Sequence, residues 1–210
     1  MNEHGSNYWI YGHRGASGLL PENTLEAFEL ALEQGADAIE TDLRRTVDGH
    51  FVFAHDDCGQ RMCLEPQQLR FCSLREIQAW DAGAGFLSPK GADLTGNREF
   101  RVPSLQEALD AFPAIRFNVD IKDPDIGPYL PQLVEEIRKA GAEERVLLTS
   151  FRWQTVRAVR RLGYRGDVGV GLPEILLLRS VPSFLLPNSS WWGDRVQIPV
   201  ASRGIRFDTP

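Results

Sequence analysis

Two short apolar runs, each ending in a cluster of charged and imidazole side chains, constrain this chain more than any other feature. The first is Trp9-Ile10-Tyr11, closed by Gly12-His13-Arg14-Gly15; the second is Ala38-Ile39-Glu40-Thr41-Asp42-Leu43, closed by Arg44-Arg45. Between them, Pro21-Glu22-Asn23-Thr24 leads into a run with Leu25, Phe28, Ala31 and Leu32 on one side, the spacing of an amphipathic helix. Asn23 followed by Glu26 has capping-box spacing, which marks the helix start. Strand, helix and strand in that order make a βα repeat, and the connection suits a parallel pair.

Residues two apart on a strand face the same way, so Glu40 and Asp42 point together. Two neighbouring carboxylates repel and resist burial unless a cation sits between them or water surrounds them. Val47-Asp48-Gly49-His50 then reads as a turn into Phe51-Val52-Phe53-Ala54, a hairpin that folds His55-Asp56 back towards the carboxylate pair. Taken singly, each group has a plainer reading: a surface or capping histidine, a solvated strand edge. The combination argues for chemistry, because active sites of βα proteins gather where strands end.

These residues resemble the glycerophosphodiester phosphodiesterase family. Its ordered pattern is matched by His13-Arg14-Gly15, Pro21-Glu22-Asn23-Thr24, Glu40-Thr41-Asp42, Thr46-Val47-Asp48-Gly49 and His55-Asp56, then by Asn118-Val119-Asp120-Ile121-Lys122 and the Ser150-Phe151 strand end. The resemblance implies a TIM-type (β/α)8 barrel and a metal-dependent phosphodiesterase that turns glycerophosphodiesters into glycerol 3-phosphate and an alcohol. It implies His13 and His55 as catalytic acid and base, Arg14 and Lys122 on the substrate phosphate, and Glu40, Asp42 and Asp120 on one divalent cation. Oxygen ligands suit Mg²⁺ or Ca²⁺ better than zinc. The family is thought to attack with the glycerol 2-hydroxyl, giving a cyclic phosphate that water opens; which histidine acts first as base stays open. The family usually carries Glu where this chain has Asp120, and the shorter arm predicts weaker metal affinity.

Along the remaining chain, residues 59–101 have poor periodicity and read as an irregular insertion over the mouth of the site, apart from a short helix candidate at Ser73-Leu74-Arg75-Glu76-Ile77. Cys58, Cys63 and Cys72 lie in or beside it, but no tight Cys-x-x-Cys pair makes them a zinc site with His55, and reduced thiols are expected. Ser104 with Glu107 caps a helix through Phe112; a strand follows at Ile115–Lys122 with Phe117, Val119 and Ile121 on one face and Asn118, Asp120 and Lys122 on the other. A helix from about Tyr129 to Ala140, a strand at Val146–Thr149, a helix at Trp153–Leu162 and strands near Val168 and Val196 complete the series, with Ile205–Pro210 as a trailing loop.

Six strands near Trp9, Ile39, Val119, Leu147, Val168 and Val196 fall short of the eight a barrel needs. The expectation is one barrel domain over residues 1–210 that is incomplete at its C-terminal side, either a fragment of a longer protein or a chain with raw edges. Two rival readings follow. One is a lysophospholipase D or sphingomyelinase D-like lipid enzyme, with Phe86, Leu87 and the Leu172–Leu186 region as an apolar groove. The other is an inactive, truncated domain. A net charge of −6 disfavours a nucleic-acid partner. Charges and prolines between Leu172 and Leu186 exclude a membrane span there, and the polar first residues lack a secretion signal, so the cytoplasm is expected with export left open. Oligomeric state is not legible.

Overall fold

The structure is a computed structural model that describes residues 9–88, 95–96, 98–170, 201–202 and 205–206. Strands β1 (Tyr11–His13) and β2 (Ala38–Arg45) pair in parallel, with His13 opposite Glu40, and the connecting helix α1 (Leu25–Glu33) buries Phe28 and Ala31. The expected cap is displaced by one residue. Thr24 accepts from the Ala27 amide, while Asn23 takes φ +60° and turns its amide elsewhere. A left-handed residue cannot serve as an N-cap, which needs extended backbone.

The hairpin forms as expected. Strand β3 (Phe51–Phe53) pairs antiparallel with the last three residues of β2, Leu43 opposite Phe53, beyond the point where β1 stops. On the other side of β2 lies β4 (Arg116–Ile121), parallel, with Glu40 opposite Asn118 and Asp42 opposite Asp120. Strand β5 (Val146–Thr149) continues the parallel sheet, so its order is β1-β2-β4-β5. Near Val168 the strand reduces to a single parallel bridge to Leu148 among the described residues. Two-residue strands β6 (Ala201–Ser202) and β7 (Ile205–Arg206) pair antiparallel where a trailing loop is expected. The strand expected near Val196 lies outside the described residues, as does the Leu172–Leu186 region.

The two sheet faces divide the labour. Ile39, Leu43, Phe117, Val119, Ile121 and Leu148 pack against the helices α1, α4 (Leu105–Ala111), α5 (Leu130–Lys139) and α6 (Trp153–Arg161). Phe28 sits at their centre, its ring 5.8 Å from Phe53 and 6.0 Å from Phe117 in edge-to-face contact. Burying each such ring stabilises by about 2–3 kcal/mol relative to exposure. The α4 start is the reciprocal capping box of Ser104 and Glu107. Parallel strands with outer helices are the architecture of part of a TIM-type (β/α)8 barrel. The other sheet face carries Glu40, Asp42, Asn118 and Asp120, and that face holds the site.

The described residues between 59 and 101 are more ordered than their periodicity promises. Short helices α2 (Gln60–Cys63) and α3 (Leu74–Ile77) and a 3-10 turn at Leu69–Phe71 bury Cys63, Leu69, Ile77 and Phe100 in a second apolar cluster with Leu20, Ala27 and Val52. Four-residue helices leave no 3.6-residue pattern long enough to read, so packing rather than propensity holds them. Among the described residues, no helix is long and apolar enough to cross a membrane.

Candidate active site

The site begins with a tight turn at the end of β1. Arg14 at φ +57° and Gly15 at φ +78° reverse the chain, and the turn is clamped by the Arg14 amide donating to the Glu40 carbonyl (2.8 Å) and the Asn23 amide donating to the Arg14 carbonyl (3.0 Å). Only glycine fits the second position, since a Cβ there would lie 2.5 Å from the Ala27 carbonyl carbon. This brings the Arg14 guanidinium over β2, its Nε 2.9 Å from Asp42 Oδ2 as an ion pair without hydrogen-bond alignment. Arg14 Nη1 donates to Glu22 Oε1 at 3.1 Å.

Asp42 is the most heavily partnered group. Lys122 Nζ lies 2.8 Å from Oδ1, and the Asn23 amide donates to Oδ2 at 3.1 Å while Asn23 Oδ1 accepts from the Thr41 hydroxyl. Burial alone would raise the Asp42 pKa; Lys122, Arg14 and Asn23 outweigh it and bring it below the ordinary value. Lys122 also reaches Asp120 Oδ2 at 2.6 Å, and burial of its ammonium is more than offset by the two carboxylates, which raise its pKa. Asp120 is raised by burial despite Lys122. Glu40 is pushed up to about 7 by burial, then by the charges of Asp42 and Asp120.

The two histidines flank this cluster. His13 Nε2 lies 3.7 Å from Glu40 Oε2; its side chain is largely exposed, and partial desolvation followed by the Arg14 charge lowers its pKa. His55 comes back over β2 through the hairpin, and its charge acts on Asp120. Its Nδ1 lies 2.8 Å from Asp56 Oδ1. Burial would raise Asp56, but His55 and Arg61 hold it below the usual carboxylate range, so it is an anion that can only accept. Neutral His55 therefore carries its proton on Nδ1 and keeps Nε2 as the ring acceptor. Arg44 donates Nε and Nη2 to the His55 carbonyl and Nη1 to buried Asp123, fixing the backbone at the same point.

All seven residues singled out in the sequence thus meet at one end of the sheet. Glu40 Oε2 and Asp120 Oδ1 are buried without a hydrogen-bond partner, a costly arrangement for carboxylate oxygens that a hard cation would relieve. Asp42 differs, since both its oxygens already face cationic or amide partners. Among the described residues, no group of three or more His, Cys, Asp or Glu side chains converges closely enough to hold a metal ion. The donor chemistry fits a divalent cation at Glu40 and Asp120, with Lys122 supplying positive charge between Asp42 and Asp120. Cys58, Cys63 and Cys72 form no disulfide, and burial pushes the Cys63 thiol up to about 12, as for an inert core group.

Periodicity and spacing missed two participants. Asn23 is a ligand of Asp42 rather than a cap, and the only sequence signal was its place in the Pro-Glu-Asn-Thr stretch. Arg61 reaches Glu22 and Asp56 across the site, with no local pattern to announce it.

Comparison with known proteins follows the same residues. The model of the glycerophosphoryl diester phosphodiesterase family matches residues 13–169. A glycerophosphodiester phosphodiesterase of Caldanaerobacter subterraneus is 33 % identical over 165 residues, covering 77 % of this chain and 65 % of the relative. The chain thus spans less than two thirds of that relative's length. A crystal structure of glycerophosphodiester phosphodiesterase from Agrobacterium tumefaciens superposes with TM-score 0.67 at 26 % identity, covering 79 % of this chain and 67 % of the other. One of a glycerophosphoryl diester phosphodiesterase from Silicibacter pomeroyi, itself described only by similarity, gives 0.64 at 27 % identity over 80 % of this chain and 66 % of the other.

Proposed function

The chain belongs to the glycerophosphoryl diester phosphodiesterase family, and from that membership we propose that it hydrolyses glycerophosphodiesters to glycerol 3-phosphate and an alcohol with the help of one divalent cation, Mg²⁺ or Ca²⁺. One observation carries the reading. Two buried carboxylate oxygens without partners stand in the same strand-end cluster as two histidines, an arginine and a lysine. Glu40 and Asp120 would hold the cation, with Asp42 engaged by Lys122, Arg14 and Asn23 beside them; when bound it would polarise a phosphodiester oxygen and offset the charge that grows on it.

The chain's own groups do the rest. Arg14 and Lys122 bring positive charge to the phosphate, Arg14 through a fork and Lys122 as a point charge. His13, whose pKa is lowered by partial desolvation and the Arg14 charge, can accept a proton there. One histidine, neutral, removes the proton of the glycerol 2-hydroxyl as its oxygen attacks phosphorus; the other enters the step protonated and gives that proton to the departing alkoxide as its bond to phosphorus breaks. The two exchange roles when water opens the cyclic phosphate. Residues 59–101 shape the mouth, a reading supported by Arg61 of α2 reaching Glu22 and Asp56 at the strand ends. Three unpaired thiols suit a reducing compartment such as the cytoplasm.

A substrate panel tests the substrate class. Glycerophosphocholine, lysophosphatidylcholine and sphingomyelin are each incubated with the protein and Mg²⁺ or Ca²⁺, and products are read by ³¹P NMR. Turnover of glycerophosphocholine to glycerol 3-phosphate above both lipids is expected. Faster turnover of a lipid would move the assignment to the lipid phosphodiesterase reading, which the exposed Leu87 would then serve.

A further inference from the structure

Arg61 links the His55 side of the site to the Arg14 side. Its Nη2 and Nη1 donate in a fork to Glu22 Oε1 (2.7 Å) and Oε2 (3.1 Å), and its Nε donates to Asp56 Oδ2 (2.5 Å). Glu22 in turn accepts from Arg14 Nη1, while the other Asp56 oxygen holds His55 Nδ1. An unbroken path of hydrogen bonds therefore runs from the His55 ring through Asp56, Arg61 and Glu22 to Arg14. A lysine could not replace this geometry fully, because the planar guanidinium serves two carboxylates along separate edges. Among the described residues Arg61 makes no hydrogen bond or ion pair with His55 or Asp42, and it comes from the short helix α2 outside the sheet.

We propose that Arg61 is a positioning residue, which fixes the His55 tautomer through Asp56 and the Arg14 guanidinium through Glu22, so that α2 helps assemble the catalytic geometry. The proposal rests on the phosphodiesterase reading for its kinetic consequence alone; the orientation of His55 can be read without turnover. With Arg61 removed, Asp56 loses its second anchor and can rotate away from Nδ1, and Glu22 no longer holds Arg14 from the far side. Outer partners of this kind typically change activity about 10–100-fold when lost.

The test compares the parent chain with Arg61→Ala, Arg61→Lys and Asp56→Asn. Imidazole ¹⁵N NMR reports the His55 tautomer, steady-state kinetics on glycerophosphocholine report kcat and KM, and amide spectra report folding. Expected is a parent with the proton on His55 Nδ1, a loss of that preference in Arg61→Ala and Asp56→Asn, a kcat in Arg61→Ala lower by about 10–100-fold, and partial return of both readouts in Arg61→Lys. Should Arg61→Ala fail to fold, Arg61→Lys carries the same comparison in smaller measure. An Nδ1 tautomer and a kcat unchanged in the folded Arg61 variants would overturn the proposal. An inactive parent with the expected NMR changes would instead count against the phosphodiesterase reading and leave the positioning of His55 supported.

Discussion

Replacing Glu40 by Gln is predicted to stabilise the metal-free protein in alkaline solution and to do much less in acid. The carboxyl is 6 % exposed, and Oε2 has no hydrogen-bond partner. Burial, reinforced by Asp42 and Asp120, raises its pKa from 4.5 to about 7. A carboxyl with a raised folded pKa binds its proton more tightly in the folded state. Its stabilising contribution is therefore lost as pH rises from the unfolded value through the folded one. Relative to a carboxyl with an unchanged pKa, the raised value then costs about 1 kcal/mol of stability at pH 5, where the folded carboxyl is protonated, and about 3 kcal/mol at pH 8, where it is ionised. Glutamine carries no charge and escapes that cost. Urea denaturation in the presence of a chelator measures it. The gain of Glu40→Gln over the parent should be about 2 kcal/mol larger at pH 8 than at pH 5. An equal difference at both pH values would refute the reasoning that Glu40 is buried among like charges. On the proposed reading, in which the cation binds the folded carboxylate form, added Mg²⁺ or Ca²⁺ at pH 8 should stabilise the parent more than the variant.

Other expectations follow from the same geometry. Asn23→Ala removes the amide between Thr41 and Asp42 and should cost about 1–3 kcal/mol in urea denaturation, the cost of leaving buried polar groups unpaired. Gly15→Ala forces a Cβ to 2.5 Å from the Ala27 carbonyl carbon and should lower stability by well over about 1 kcal/mol in thermal melts; an unchanged Tm would contradict the turn as described. Asp120→Glu lengthens the arm of a proposed ligand and should tighten Mg²⁺ or Ca²⁺ binding by isothermal titration, whereas unaltered or weaker binding would sink the idea that the short arm limits affinity.

Much of this arrangement was legible because its signals are local. The alternation of Phe117, Val119 and Ile121 with Asn118 and Asp120 gives β4 one apolar and one chemical face, and the sheet obeys it. Ser104 and Glu107 announce α4 because a capping box needs only four residues to form. The turn at Asp48-Gly49 returns His55 to the carboxylates because a hairpin sets its own register. Other features depend on groups far apart in sequence. Asn23 and Thr24 both offer a cap, and only the left-handed turn after β1 decides that Thr24 takes it while Asn23 turns to Asp42. The Arg61–Glu22 ion pair links residues 39 apart and leaves no periodic trace. The resemblance puts Lys122 on the substrate phosphate, whereas its bridge between Asp42 and Asp120 is visible only once the two strands lie in register.

The most direct test of the account is release of glycerol 3-phosphate from glycerophosphocholine by this chain of 210 residues, with Mg²⁺ or Ca²⁺, with chelator, and with His13→Ala as control. The account predicts turnover that requires the cation and falls by about 100-fold or more in the variant, the range expected for loss of a general acid or base. Turnover that persists in chelator, or that His13→Ala leaves intact, would contradict it.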